Sequence, residues 1–144
     1  MLAESLICLA LNVYHEAKNQ SFMGQVAVAQ VVMNRVKDAR YPNTVCDVVK
    51  QAETYKYKPT IPIKNKCQFS WYCDGKADKP DDEYAWAYAQ MVAADVLRGE
   101  VPDFTGGSTH YHAYYVKPYW ADKMLYQGDF GSHYFFREID GLNR

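Results

Sequence analysis

Residues 2–17, LAESLICLALNVYHEA, combine the periodicity of a buried helix with a polar end. Apolar side chains recur at positions 2, 6, 9 and 13, and this spacing predicts an amphipathic helix that ends near Glu16. A carboxyl at the end of such a helix loses water, which raises its pKa because the charged form is poorly solvated. Glu16 is therefore a candidate general acid, and a surface Glu paired with Lys18 or Arg40 is the alternative interpretation.

Length and composition predict one globular domain, residues 1–144, with a substantial core. A chain of this size buries roughly two thirds of the surface that its unfolded form exposes. The chain is 49% hydrophobic with a net charge of −1, which argues against disorder and against binding to nucleic acid or an acidic membrane face. Its 13 Tyr, 6 Phe and 3 Trp exceed what a core requires, so some rings are predicted to line a binding surface.

The first apolar run is not typical of a signal peptide, because no basic residue precedes it and Glu4 interrupts it. No other apolar run approaches the length of about 20 residues needed to span a bilayer. We therefore expect no membrane insertion. Any export then depends on another protein.

The four cysteines, at positions 8, 46, 67 and 73, predict one disulfide. Cys8 lies in the apolar run and is interpreted as a buried free thiol, which leaves Cys46, Cys67 and Cys73 to form the bond. Zinc binding is disfavoured, because the five residues between Cys67 and Cys73 exceed the usual two to four. A disulfide favours an oxidising site of action.

The remaining chain predicts four further helices, two of them short, and a small sheet. Helical periodicity covers residues 23–38, a capped start at residues 80–83 precedes another helix that ends at Gly99, and Thr44 caps a short helix over residues 45–51. Alternating runs at 109–116 and 133–138 predict strands, with a short helix over 118–125 between them. Residues 52–79 are predicted to be a long loop, and the lysines at 56, 58, 64 and 66 are interpreted as its solvated face.

Histidines and aromatic residues add further candidate chemistry. His110 and His112 would share one face of a predicted strand, and with His133 they form a possible zinc site, although no compact metal motif supports it. Aromatic residues near predicted loops and strand ends can stack on sugar rings or pack the sheet onto the helices. They are Trp71, Tyr72, Tyr111, Tyr114, Tyr115, Tyr119 and Trp120.

Six motifs, in order along nearly the whole chain, resemble the catalytic domain of the SleB-type cell wall hydrolases, a family that includes spore cortex-lytic enzymes and several phage lysins. The motifs are YHEAKNQ (14–20), GQVAVAQVVMNRV (24–36), YPNTVCDVV (41–49), QFSWYCDG (68–75), TGGSTHYHAYYVKPYWA (105–121) and GSHYFFR (131–137). The resemblance implies an α+β, predominantly helical, lysozyme-like compact domain with a small antiparallel β region. It also implies cleavage of peptidoglycan glycan strands between N-acetylmuramic acid and N-acetylglucosamine.

The resemblance also assigns site residues. The catalytic glutamate of the family falls on Glu16, and no metal or other cofactor is implied. Positions around the substrate cleft, for which only substrate positioning and cleft shaping are expected, fall on Gln68, Phe69, Ser70, Tyr111, His112 and Trp120. The chain departs from many members at residues 18–20, where Lys-Asn-Gln replaces Arg-Gly-Glu.

Several reactions are compatible with these residues. A lytic transglycosylase needs one carboxylate, whereas a lysozyme-type muramidase needs two, about 5 Å apart for retention and about 6.5 to 9.5 Å apart for inversion. No second acid stands out, because Asp74 beside Gly75 is interpreted as a turn residue, so the transglycosylase is favoured. Two further candidate functions are a zinc-dependent amidase, which would use His110, His112 and His133, and a non-catalytic glycan-binding module.

The motif pattern, without a signal peptide or a separate wall-binding domain, favours a phage endolysin that causes host cell lysis. We expect such a protein to be made in the bacterial cytoplasm and to reach the wall in the periplasm after release by a holin-type partner. It would act there as a monomer on peptidoglycan glycan strands.

Overall fold

The structure, a computed structural model, describes residues 2–139; the ends of the predicted 1–144 domain, residue 1 and residues 140–144, lie outside the described residues. The described helices are α1 (Leu2–Ala17), α2 (Phe22–Lys37), α3 (Val45–Val49) and α4 (Glu83–Leu97), with 3₁₀ turns at Ser70–Cys73 and Ala121–Lys123. The strands are β1 (Ala52–Tyr55), β2 (Lys58–Cys67), β3 (His110–Ala113), β4 (Met124–Phe130) and β5 (His133–Glu138). The predicted α+β, mainly helical class with small antiparallel sheets is confirmed.

Helix α1 lies at the centre of the fold, since it contacts each of the other three helices. Its Leu9, Ala10 and Val13 are fully buried in the main core. The helices around it begin at capped ends. The Ser21 hydroxyl accepts a hydrogen bond from the backbone N–H of Gly24 in α2, and the Asp82 carboxylate accepts one from that of Ala85 in α4. Within residues 2–139, no helix has the length and apolar character to cross a bilayer.

The three-stranded antiparallel sheet, in the order β3-β5-β4, forms a second layer against the helices. Tyr111 of β3 is paired with Phe135 of β5, which is fully buried against α2. Because side chains alternate along a strand, the neighbouring His110 and His112 lie on the opposite, outer face. This alternation gives β3 one side facing the core and one side facing outward.

Residues 52–79 are not the continuous loop that the sequence predicted. Strands β1 and β2 form an antiparallel hairpin with two register irregularities, and Pro59 and Pro62 lie within β2. Proline is typical of edges and bulges rather than regular strands, so the pattern obscured this hairpin. The four lysines at 56, 58, 64 and 66 are exposed, as expected.

The predicted helix over residues 118–125 is also wrong. The chain forms the short 3₁₀ turn Ala121–Lys123 and then enters strand β4, which pairs with β5. Gly128 lies at a register irregularity in β4 with a φ of 129°, a conformation that glycine tolerates and other residues rarely adopt. A glycine inside a short strand weakens the alternation that would have revealed it.

Two disulfides link the fold, and the interpretation of Cys8 as a free thiol is wrong. Cys8 of α1 is bonded to Cys46 of α3, and Cys67 at the end of β2 is bonded to Cys73 in the following 3₁₀ turn. Burial of Cys8 did not exclude pairing, because the face of α1 that carries it packs on α3. No cysteine in the described part of the chain is free.

The two disulfides should differ in their contribution to stability. Their sequence separations are 38 and 6 residues, and closing a longer loop removes more entropy from the unfolded chain. Replacing Cys8 and Cys46 by Ala is expected to lower the free energy of unfolding by about 4 kcal/mol, against about 2 kcal/mol for Cys67 and Cys73. Urea denaturation of both oxidised double variants measures this, and equal losses would contradict the loop-length explanation.

Candidate active site

A cleft of about 270 Å³ opens where the end of α1, the side of α2, the two residues between β2 and the following 3₁₀ turn, and strand β3 meet. Five of the seven site residues expected from the sequence line it, together with Arg35 and His110. The five are Glu16, Gln68, Phe69, Tyr111 and Trp120. Residues far apart in the sequence are thus brought together around one carboxyl.

Glu16 is the penultimate residue of α1, and its Oε1 accepts a hydrogen bond from the Tyr111 hydroxyl. Burial raises the pKa of Glu16, and the smaller opposing effects of the Tyr111 hydrogen bond and the Arg35 charge do not cancel that rise. The C-terminal end of a helix carries partial negative charge, which also disfavours a carboxylate. The Glu16 carboxyl therefore holds its proton to higher pH than an exposed glutamate does.

The alternative surface ion pair for Glu16 is not formed. Lys18 places its Nζ 4.9 Å from the centre of the Tyr14 ring. Arg40 pairs with Asp38 at 2.5 Å and with Glu138 at 2.7 Å. Both cations considered for Glu16 therefore have other partners.

Tyr111 orients the Glu16 carboxyl. Its pKa is raised well above the ordinary value by burial and by the neighbouring Glu16, so its hydroxyl remains a hydrogen-bond donor. A contact from the Asn12 side chain opposes this rise in the pKa of Tyr111. Asn12 is itself fixed, because it is fully buried and its Oδ1 accepts a hydrogen bond from Trp71 Nε1 at 2.9 Å.

Arg35 is a site residue that the sequence interpretation missed. Its guanidinium is buried, with Nε donating to the Thr109 carbonyl at 2.7 Å and Nη1 donating to Gln68 Oε1 at 3.3 Å. The same group lies 5.3 Å from the centre of the Phe69 ring. Arg35 thus holds two cleft residues in place and directs a positive charge toward Glu16.

A signal for Arg35 was present in the sequence. Arg35 lies three residues after Val32 and seven after Val28, so helical periodicity puts it on the buried stripe of α2. A charge on a buried stripe needs partners, because an unpaired buried cation is unfavourable. Such a position is a candidate for a functional site.

His110 forms a neutral part of the cleft wall. Burial and the charges of Arg35 and Arg40 lower its pKa to about 4. Its Nδ1 lies 3.0 Å from Thr109 Oγ1, and its ring centre is 5.0 Å from that of Trp120. At neutral pH the imidazole is therefore uncharged.

Ser70 and His112 lie outside this cleft, unlike the other predicted site residues. Ser70 is exposed at the start of the 3₁₀ turn. His112 lies on the outer face of β3, where its ring stacks on Phe136 with centroids 5.2 Å apart and an interplanar angle of 19°. It reaches the site only through Trp120, whose ring centre is 5.7 Å away.

The three histidines considered for zinc do not converge. His110 and His112 lie on the outer face, as predicted, whereas His133 lies on the inner face with Phe135 and its Nδ1 is 3.1 Å from Gln20 Nε2. Across residues 2–139, no group of three His, Cys, Asp or Glu side chains is placed to hold a metal ion. The amidase hypothesis therefore lacks its ligand set.

A second carboxylate does not accompany Glu16 among the described residues that line the cleft. Asp74, the candidate from the sequence, accepts a hydrogen bond from the backbone N–H of Lys76 at 2.9 Å, as a turn residue does. The cleft chemistry therefore depends on one acid.

Comparison with known proteins agrees with this architecture. Residues 19–136 match the family described as Cell Wall Hydrolase. The chain belongs to this family. The match begins three residues after Glu16 and does not include it, so Glu16 is identified as the acid by the cleft geometry rather than by this match.

Its relatives include spore cortex-lytic enzymes. The enzyme of Halalkalibacterium halodurans is 31% identical over 103 residues, which are 72% of this chain and 25% of that protein. The enzyme of Bacillus subtilis strain 168 is 44% identical over 41 residues, or 28% of this chain and 13% of that protein. The chain thus spans a quarter or less of the length of these curated relatives.

Two solved structures share the fold. One is the catalytic domain of the germination-specific lytic transglycosylase SleB from Bacillus anthracis, with a TM-score of 0.66 and 25% identity over 92% of this chain and 93% of that chain. The other is the catalytic domain of the Bacillus cereus SleB protein, with a TM-score of 0.65 and 28% identity over 93% of this chain and 91% of that chain. The SleB-type resemblance is confirmed.

The Tyr111 hydrogen bond should be measurable through the pKa of Glu16. Removing a donor to the charged form raises a carboxyl pKa, so Tyr111→Phe is expected to raise the pKa of Glu16 further. Carbon-13 NMR titration of the Glu16 carboxyl measures the change. Tyr84→Phe, at an 87% exposed position on α4, is the control, and an unchanged or lower pKa in Tyr111→Phe would contradict the assigned role.

Proposed function

We propose that the protein is a lytic transglycosylase that cleaves peptidoglycan glycan strands between N-acetylmuramic acid and N-acetylglucosamine. The main support is Glu16, the one carboxyl among the described residues that line the cleft, whose raised pKa suits a proton donor at neutral pH. The lytic transglycosylase activity named for the Bacillus anthracis SleB domain, a structural relative, also supports the proposal. A lysozyme-type route would need a second carboxylate at a suitable distance.

The reaction begins with proton transfer from Glu16. The Tyr111 hydroxyl donates to Oε1, so the acidic proton resides on Oε2. Glu16 transfers that proton to the glycosidic oxygen, the bond from this oxygen to the muramic C1 breaks, and the N-acetylglucosamine end leaves as an alcohol. Positive charge develops at C1, and the neutral imidazole of His110 does not repel it.

Glu16 then acts as the base. Its carboxylate accepts the proton of the muramic C6 hydroxyl while the C6 oxygen bonds to C1, and this gives a 1,6-anhydro-muramic end without consuming water. The carboxylate formed between the two steps is stabilised by the Tyr111 hydrogen bond and the Arg35 charge, which both lower the pKa of Glu16. The second transfer restores the protonated acid.

Glu16→Gln tests this chemistry, because the amide can accept the Tyr111 hydrogen bond but can neither donate nor accept the proton. Loss of a general acid and base is expected to reduce kcat by about 10³-fold or more. Mass spectrometry of wild-type digests should show anhydro-muramic ends, each lighter by one water than a reducing end. Reducing ends would indicate a muramidase, and an active Glu16→Gln variant would contradict the proposed role of Glu16.

We further propose that the protein acts as a monomeric endolysin, which reaches the wall in the periplasm after release by a holin-type partner. Support comes from the resemblance to a family that includes several phage lysins and from the two disulfides, which are typical of oxidising compartments. Bacteria expressing the protein together with a holin are expected to lyse, and those expressing the protein alone or Glu16→Gln with the holin are not. Lysis without the holin would contradict this setting.

A further inference from the structure

The outer face of the three-stranded sheet carries a cluster of aromatic rings that the cleft chemistry does not use. Rings of adjacent strands are in contact across it: Tyr134 lies 4.8 Å from Tyr114, and Tyr126 lies 5.9 Å from Tyr134 and 5.8 Å from Phe136, measured between centroids. We call this cluster the outer aromatic face and define it as His112, Tyr114, Tyr126, Tyr134 and Phe136.

Two of these rings are both exposed and held in position. Tyr114 is 47% exposed and Tyr126 is 55% exposed. The Tyr114 hydroxyl lies 2.9 Å from Asp129 Oδ2, and the Tyr126 hydroxyl lies 3.3 Å from Asp129 Oδ1. One carboxylate therefore fixes two exposed rings, and a ligand that binds them loses less rotamer freedom than one that binds mobile side chains.

The outer aromatic face is continuous with the cleft through Trp120. Trp120 lines the cleft, and its ring centre is 5.5 Å from that of Phe136 and 5.7 Å from that of His112. A polymer that leaves the cleft over Trp120 therefore meets these rings next. The cleft volume of about 270 Å³ leaves most of a polymer outside it.

We propose that the outer aromatic face binds the glycan strand beyond the cleft, an inference that rests on the proposed function. Aromatic rings stack on the apolar faces of sugars, while the Asp129 carboxylate and the tyrosine hydroxyls can hydrogen-bond sugar hydroxyl and N-acetyl groups. The repeating sugars of a glycan, with their apolar ring faces, hydroxyl groups and N-acetyl groups, match both the rings and the single acid.

The consequence is a preference for long strands. A strand held at two connected surfaces rebinds at the cleft with a high effective concentration, whereas a short fragment that fills only the cleft gains nothing from the outer face. The affinity advantage of a long peptide-free glycan strand over a tetrasaccharide therefore measures the contribution of this face.

The test compares two proteins: the Glu16→Gln variant, and the same variant with Tyr114→Ser and Tyr126→Ser added. For each protein we measure how much more tightly it binds the long strand than the tetrasaccharide. Fluorescence anisotropy with labelled glycan gives both dissociation constants without turnover. Losing two stacking rings is expected to reduce the long-strand advantage roughly tenfold. Tyr84→Ser removes an 87% exposed tyrosine from α4 and is expected to leave the advantage unchanged, and circular dichroism checks that each variant is folded.

The proposal is overturned if the added pair leaves the advantage unchanged, if Tyr84→Ser reduces it as much, or if the protein without the added pair has no advantage. These outcomes are separate from failure of the proposed chemistry. Reducing ends, or cleavage by Glu16→Gln, would refute the transglycosylase while the binding comparison still stands. Anhydro ends with an unchanged advantage would refute only the role of the outer aromatic face.

Discussion

Polar side chains on the buried helix α1 need hydrogen-bond partners, and this requirement fixes the position of several other segments of the molecule. Helix α1 contacts all the other helices, so its inward polar side chains need partners within the protein, and four of them form hydrogen bonds to other segments. Those partners come from segments distant in the sequence. The pairs are Asn12 with Trp71 at 2.9 Å, Tyr14 with Asp81 at 3.0 Å, His15 with the Asp78 carbonyl at 2.8 Å, and Glu16 with Tyr111. The loops around the cleft are thus positioned by the helix that supplies its acid.

The same arrangement makes the site a compromise between stability and chemistry. Because burial raises the pKa of Glu16, the protonated side chain favours the folded state, and this contribution is lost as pH rises through the raised pKa. Arg35 adds a buried positive charge, which is stabilised by its hydrogen bonds to the Thr109 carbonyl and Gln68 Oε1. A carboxyl that donates and then accepts a proton needs both the dry surroundings and the nearby charge.

The sequence predicted the helices, which depend on local periodicity. It missed features that depend on contacts between distant segments. The bounds of α1 and α2 follow from their apolar spacing, and Glu16 was found through its motif. Strand β2 was missed because its prolines resemble a loop and its partner strand is irregular. The importance of Arg35 was missed because its partners lie on other segments, and the Cys8 disulfide depends on how two helices pack.

Neighbouring residues of strand β3 place their side chains on opposite sides of the sheet, where the surroundings differ. Tyr111 faces the acid, whereas His112, the next residue, supports the aromatic rings on the other side of the sheet. A slip of one residue in its pairing with β5 would exchange these sides and abolish both functions at once. In the correct register, Tyr111 and His112 face opposite sides of the sheet, and the two sides meet only near Trp120 among the described contacts. Substitutions at Tyr114 or Tyr126 would therefore test the proposed glycan-binding face while leaving Glu16 and its donor Tyr111 in place.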